Sequence, residues 1–398
     1  MAETATKRLK RPLTGNDAGA YAMKQVNPDV VAAYPITPQT ELMQTFAQYV
    51  ADGDVDTKLI TVESEHSAMS ACVGAAAAGA RTMTATSANG FALMWEVLYI
   101  VASLRLPITM TVVNRALSGP INIHCDHSDS MGGRDAGWIQ IYAENPQEAY
   151  DLLLIGLKAA ENHDVLLPCM VMYDGFIISH TMEVVEVLTD DDVKKFVGPY
   201  KPAYALLLDK EPFTVGPLDF HDYYFEHKRQ EVEGTEHAPA ALAAAAAEYE
   251  KLSGRHYGPV ETYRADDADV IMVALGSTAG TARYTVDVLR DQGQAVGLMK
   301  LRTFRPFPHG EVAAALGRAK CVVVCDRVAS FGGFGSPTFS EVRSALYEVP
   351  ERPKVINFIY GLGGRDTGPD LLQQAFEEGL GVAATGKIKQ HVSYLGVR

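Results

Sequence analysis

Four short polar segments carry the residue types that small-molecule chemistry needs. In "AAYPITPQTELMQ", residues 32–44, Pro35 and Pro38 bracket Thr37. In "TVESEHSA", Glu63 and Glu65 follow an apolar run. In "TSANGF" stand Ser87, Asn89 and Gly90, and in "VVNRALSGPINIHCDHSD" Arg115 leaves an apolar run for a long polar stretch.

Each segment has a structural and a chemical reading. Pro38 pushes Thr37 toward extended backbone and suits the first turn of a following helix. Thr37 therefore either caps that helix or presents a hydroxyl to a small ligand where the dipole favours anions. Glu65 either complements a helix N-terminus or holds a heterocycle with which it shares a proton. Ser87, Asn89 and Gly90 either cap a helix or leave free backbone donors for a ligand. Arg115 carries a planar guanidinium suited to a small carboxylate. His124, Asp126, His127 and Asp129 could suggest a metal site, but their spacing matches no strong zinc signature. A loop ordered by internal hydrogen bonds is the better expectation. Cys321 and Cys325, spaced C-x-x-x-C in an apolar run, read as core cysteines.

These segments share a position in the chain pattern. Each follows a short Val-, Ile- or Thr-rich run and precedes a helix-like run. "DVVAAYPI", "TKLITVES", "RTMTATS", "PITMTVVN" and "VLLPCMVMYD" read as strands, with helices between them. That alternation predicts a parallel sheet covered on both faces. Ligands of such sheets bind beyond the carboxyl ends of the strands, where all four segments fall. "YDGF" marks a fifth exit.

Residues 185–262 break the rhythm with an aromatic and histidine cluster, "FHDYYFEHKRQ", and an Ala-rich helix, "PAALAAAAAEYEKLSG". They read as an arm draped over the first domain. From about residue 268 the alternation restarts. The expected organisation is an α/β fold with two parallel-sheet domains, 1–190 and 266–398, joined by a crossover arm and linker at 191–265. The segment "FGGFG" at 331–335 reads as a tight turn at a packing surface, and the tail from about 379 as irregular. No P-loop is present, and "GSTAGTA" lacks a dinucleotide fingerprint.

The 398 residues carry a formal net charge of -14, which argues against nucleic acid as the main partner. Five scattered cysteines make no disulfide framework and suit a reducing cytoplasm. The basic N-terminus lacks the apolar stretch of a signal peptide, and no run is apolar enough to span a membrane.

Taken together, "AAYPITPQT", "ESEHSA", "VVNRALSGPINIHCDHSD", "YDGFIISH" and "GLMKLRTFRPFP" resemble the alpha subunit of the pyruvate:ferredoxin oxidoreductases (pyruvate synthases) within the multi-subunit 2-oxoacid:ferredoxin oxidoreductases. The resemblance runs in order from about residue 13 to the C-terminal region. It implies a thiamine diphosphate pyrimidine-binding domain followed by a transketolase C-terminal-like domain. Glu65 would contact the aminopyrimidine ring and promote its imino tautomer. Thr37 and Arg115 would bind the oxoacid, and Pro35, Ser87 and Asn89 would lie at the cofactor. The GDG…Asn signature for metal-bound diphosphate is absent from this chain. The resemblance puts that half of the site on a beta subunit, with Mg2+ and [4Fe-4S] clusters on partner subunits, including gamma- and delta-type chains. No metal site is expected on this chain.

The implied reaction is reversible decarboxylation of pyruvate with coenzyme A to acetyl-CoA, CO2 and reduced ferredoxin. Branched-chain 2-oxoacids, 2-oxoglutarate and oxalate are the alternatives for the substrate. A thiamine enzyme passing electrons to a flavin or lipoyl group and a non-catalytic scaffold are the competing classes.

Overall fold

The computed structural model describes residues 9–207, 212 and 214–398. Residues 1–8 of the basic N-terminal stretch, and 208–211 and 213 of the expected arm, lie outside the described residues. The first part runs β1 (Leu9–Leu13), α1 (Gly15–Val26), β2 (Val30–Ala33), α2 (Thr40–Asp52), β3 (Lys58–Thr61), α3 (Glu65–Ala77) and β4 (Thr82–Thr86). It continues with α4 (Ala88–Leu93), α5 (Trp95–Ser103), β5 (Thr109–Asn114), α6 (Ser128–Gly132), β6 (Ile139–Tyr142), α7 (Pro146–Ala160) and β7 (Cys169–Asp174). Then come β8 (Glu183–Val187), α8 (Asp190–Val197) and the long α9 (Tyr224–Ser253). The last part is β9 (Val260–Tyr263), β10 (Val270–Ala274), α10 (Thr278–Asp291), β11 (Val296–Leu301), β12 (Thr303–Arg305), α11 (His309–Leu316) and β13 (Cys321–Asp326). It closes with α12 (Pro337–Ala345), β14 (Lys354–Ile359), α13 (Pro369–Thr385) and β15 (Val392–Tyr394).

Two large sheets result. The first has the order β12-β6-β7-β5-β4-β2-β3 and is parallel except at β12, which pairs antiparallel with β6. The second has the order β15-β14-β13-β10-β11-β9 and is parallel except at β9. Every residue of β4, β5 and β7 is buried, even where the run contains Thr. A strand covered by helices on both faces is buried throughout, even where Thr82, Thr84 and Thr86 alternate with apolar residues in β4. The two sheets share side chains in one apolar cluster that runs from Met69 and Phe91 to Phe304 and Phe339.

Several expectations need correction. The helix after Thr37 starts at Thr40 with Gln39 as its N-cap, so Pro38 precedes the helix instead of opening it. The run "NGFALMWEVLYIVASLR" is two helices that meet at Met94. The Ala-rich helix begins at Tyr224 and carries half of the aromatic cluster, and it packs along α7. The tail is ordered: α13 extends to Thr385, and β15 adds a strand to the edge of the second sheet. β12, late in the chain, completes the first sheet. In the 331–335 turn Phe331 is 99% exposed, so it does not pack within the chain. Among the described residues no helix is long and apolar enough to cross a membrane.

Candidate active site

The strand exits of the first sheet converge, and named hydrogen bonds tie them together. The turn after β2 is held from three sides. Asn16 Nδ2 donates to the Pro38 carbonyl at 2.8 Å. Gln39, fully buried, donates through Nε2 to the Ala85 carbonyl at 3.1 Å and accepts from Ile36 N–H at 3.2 Å. Arg115 Nη1 donates to the Thr37 carbonyl at 2.9 Å. Thr37 itself is exposed, and its hydroxyl makes no hydrogen bond among the described residues. The two expected oxoacid residues are therefore brought together through one backbone carbonyl. Pro35 is exposed on the same turn.

Arg115 follows β5 directly and is 7% exposed. Its Nε donates to the Asn122 carbonyl at 2.9 Å, so two carbonyls set the plane of the guanidinium. Nη2 makes no hydrogen bond among the described residues. With Nε and Nη1 engaged, Nη2 is the nitrogen left to donate to an anion.

Asp129 supports this arrangement, and its part was not foreseen from the sequence. Its Oδ2 accepts from the N–H of Arg115 at 2.9 Å and of Ala88 at 3.0 Å. Its Oδ1 accepts from Asn114 Nδ2 at 2.8 Å and Ser130 N–H at 2.7 Å. Burial pushes its carboxyl up to about 6 against these four donors, which favour the charge. Ala88 adopts φ 44°, a left-handed conformation that is costly for a residue with a side chain. The Asp129 bond holds it there.

Two of the backbone donors at 87–90 are already taken. Ala88 N–H belongs to Asp129, and Gly90 N–H to the Ser87 carbonyl. Ser87 is fully buried, and its hydroxyl donates to the Val113 carbonyl at 2.6 Å. Asn89 is exposed, with Oδ1 accepting from Ser118 N–H at 3.1 Å.

The two carboxylates of "ESEHSA" divide sharply. Glu63 is exposed and accepts from the Ser67 hydroxyl, which holds its carboxyl below the usual value. Glu65, the first residue of α3, is 6% exposed and has no hydrogen-bond partner among the described residues. Beside it, Thr86 Oγ1 is buried and also unpartnered. Both face the Cα of Gly90, where a β-carbon would lie 2.5 Å from Glu65 Oε1 and 2.7 Å from Thr86 Oγ1. Glu65 and Thr86 thus pack closely against Gly90, and neither side chain has a hydrogen-bond partner among the described residues.

His124, Asp126, His127 and Asp129 do not come together as one group. Among the described residues only Cys125, His127 and Asp174 come close, with ligand atoms within 4.8 Å of one another. Asp174 is committed already. Oδ1 bonds His127 Nε2 at 2.7 Å, and Oδ2 accepts from Ser277 N–H and hydroxyl and lies 3.4 Å from Arg327 Nη1. Burial opposes its charge, but Arg327 and His127 outweigh burial and hold the carboxyl well below the carboxylate range. This cluster joins the carboxyl ends of the two sheets, since Asp174 ends β7, Ser277 precedes α10 and Arg327 follows β13. All five cysteines are buried and unpaired.

Comparisons with known proteins show the family to which the chain belongs. Residues 21–246 match the family described as "Pyruvate flavodoxin/ferredoxin oxidoreductase, thiamine diP-bdg", and residues 268–372 match "Pyruvate:ferredoxin oxidoreductase core domain II". The chain is 57% identical over 387 residues to a pyruvate synthase subunit PorA of Thermotoga maritima, covering 97% of each chain. It is 43% identical over 387 residues to a ketoisovalerate oxidoreductase subunit VorA of Pyrococcus furiosus, covering 97% of this chain and 98% of that one. Its backbone matches a solved 2-oxoglutarate:ferredoxin oxidoreductase of Magnetococcus marinus with TM-score 0.71 at 20% identity. That match covers 94% of this chain and 66% of the solved one, and it speaks for the fold alone.

Proposed function

The chain belongs to the pyruvate:ferredoxin oxidoreductase family, and from that premise we propose that it is the alpha subunit of a pyruvate synthase. The reaction takes pyruvate and coenzyme A to acetyl-CoA and CO2, with one electron passing to each of two ferredoxins. Bound thiamine diphosphate supplies the electron sink for the carbanion left when a 2-oxoacid loses CO2.

The residues of this chain bind and orient. Glu65 takes the ring edge beside Gly90 and holds or moves a proton there. Asn89 and Pro35 line the approach to the ring, and Ser87 acts from behind by fixing the start of α4. Arg115 binds the substrate carboxylate through its open Nη2 edge, and the Thr37 hydroxyl bonds the oxoacid beside it. The observation that carries this reading is the Arg115 guanidinium. It is held by the carbonyls of Thr37 and Asn122 next to a hydroxyl with no partner of its own.

The diphosphate, its Mg2+, the [4Fe-4S] clusters and the docking of ferredoxin fall to partner subunits in this reading. The subunit names of the relatives support a complex of several chains. The 57% identity to the Thermotoga maritima pyruvate synthase subunit supports pyruvate as substrate. The test is steady-state turnover of the complex that co-purifies with this chain, with pyruvate, 2-oxobutyrate, 2-oxoisovalerate, 2-oxoglutarate and oxalate compared. Pyruvate should give the highest kcat/KM. A preference for 2-oxoisovalerate would keep the family and move the substrate.

A further inference from the structure

The second sheet reaches into the oxoacid loop by one short turn. β14 ends at Ile359, and the chain then turns through "GLGG" at 361–364. Gly361, Gly363 and Gly364 have φ of 63°, 61° and 76°. Residues with a β-carbon rarely adopt these values. The turn lies against the 115–128 loop. Gly363 carbonyl accepts from Asn122 Nδ2 at 3.1 Å, and Gly364 N–H donates to the Cys125 carbonyl at 2.7 Å. Gly363 N–H also points to Asp126 Oδ2 at 3.3 Å.

The approach leaves no room for side chains. A β-carbon on Gly363 would sit 2.5 Å from Asn122 Nδ2, and one on Gly364 would collide with the His124 side chain. On its other side, a β-carbon on Gly361 would lie 3.1 Å from Arg327 Nε. Positive φ favours glycine at all three positions, and close approach favours it again at Gly363 and Gly364.

Asn122 is the link to Arg115. Its Nδ2 is held by Gly363, its Oδ1 accepts from His124 N–H at 2.7 Å, and its carbonyl accepts from Arg115 Nε. A continuous path then runs Gly363, Asn122, Arg115, Thr37. We propose that Asn122 and the 361–364 turn are positioning groups for Arg115, so that the second sheet sets the affinity of the site for the oxoacid. This rests on the reading of Arg115 as the carboxylate-binding residue. Without Asn122 held in place, one of the two carbonyls that orient the guanidinium drifts, and the open Nη2 edge loses its aim. The carboxylate then binds more weakly, while the Glu65 side of the site is untouched.

The experiment uses the purified complex with Asn122→Ala, Gly363→Ala and the double variant, alongside Arg115→Ala. The readouts are KM for pyruvate, KM for coenzyme A, half-saturation by thiamine diphosphate, and melting temperature. Each single variant should raise KM for pyruvate roughly five-fold, on the order of one neutral hydrogen bond. The coenzyme A and thiamine values should stay within about two-fold. The double variant should be no worse than the poorer single one, because both break the same path. Unchanged pyruvate KM in both variants, while Arg115→Ala raises it, overturns the positioning role and leaves the parent reading standing. A parallel rise in all three constants with a lowered melting temperature also overturns it, since that is loss of fold. Unchanged KM in Arg115→Ala overturns both.

Discussion

Glu65 and Gly90 stand so close that Gly90 cannot carry a side chain without moving the carboxylate. A β-carbon there would be 2.5 Å from Oε1. Gly90 lies inside helix α4, where alanine would normally gain about 1 kcal/mol of helix propensity. Overpacking a filled site costs typically about 1–3 kcal/mol. The clash therefore outweighs the propensity, and the carboxylate gives way. Gly90→Ala is expected to lower kcat at least roughly ten-fold and to raise the thiamine diphosphate needed for half-activation. Titrating the cofactor into the apo complex checks both.

Arg115 serves two carbonyls through two different nitrogens and keeps Nη2 over, which a single lysine ammonium cannot do in one plane. Arg115→Lys should raise the oxoacid KM about ten-fold and Arg115→Ala about 100-fold, the range of a charge-assisted hydrogen bond or two. Thr37→Val keeps the shape and removes the hydroxyl, and should raise KM about three-fold. Initial rates against pyruvate concentration distinguish these values.

The strand runs and their exits were readable because buried parallel strands are continuous apolar or Thr-rich runs with polar ends. What escaped notice depended on contacts distant in sequence. β6 is four residues with Gln140 inside it, too short and mixed to stand out. β12 pairs with a strand about 160 positions earlier, which no local pattern announces. Thr37 was placed nearer the helix start than it is, because Gln39 takes the cap through its buried amide. The role of Asp129 was hidden by its neighbours: in "HCDHSD" it looks like one acid among metal-type residues, yet it alone accepts from two strand exits. The 361–364 glycines gave a visible signal, three glycines in four residues, with no indication of what they approach.

Asp129 gives a pH dependence. Burial raises its folded value to about 6, above the roughly 3.9 of an unfolded aspartate. For a raised value, the stability contribution is present in full below about pH 3.9 and is lost as pH rises through about 6. Function runs the other way, because the ionised form grips the N–H groups of Arg115 and Ala88 more strongly. kcat/KM for the oxoacid should therefore rise through a step near pH 6. Asp129→Asn would turn an amide N–H toward two backbone N–H groups or toward the Asn114 amide. It should lower kcat/KM at pH 7.5 at least about ten-fold and remove the step. The pH profile of both proteins tests this.

Asp174 and Arg327 tie the two sheets together at 3.4 Å, with both side chains buried. Removing one member of a buried pair leaves an uncompensated charge and costs about 3–5 kcal/mol. Asp174→Asn should lower the melting temperature of the complex by several degrees and loosen the 361–364 turn, which abuts Arg327. Hydrogen exchange should rise first in the 122–128 and 361–364 segments. Uniform exchange across both sheets would contradict this.

The most direct test of the account is reduction of a low-potential dye by the complex that co-purifies with this chain. Thiamine diphosphate, Mg2+, coenzyme A and pyruvate are supplied, with Arg115→Ala run in parallel. The account predicts dye reduction that needs both pyruvate and coenzyme A and that falls away in the variant at low pyruvate. An intact, cluster-loaded complex that reduces no dye with any 2-oxoacid, or a variant as active as the parent at low pyruvate, would contradict it.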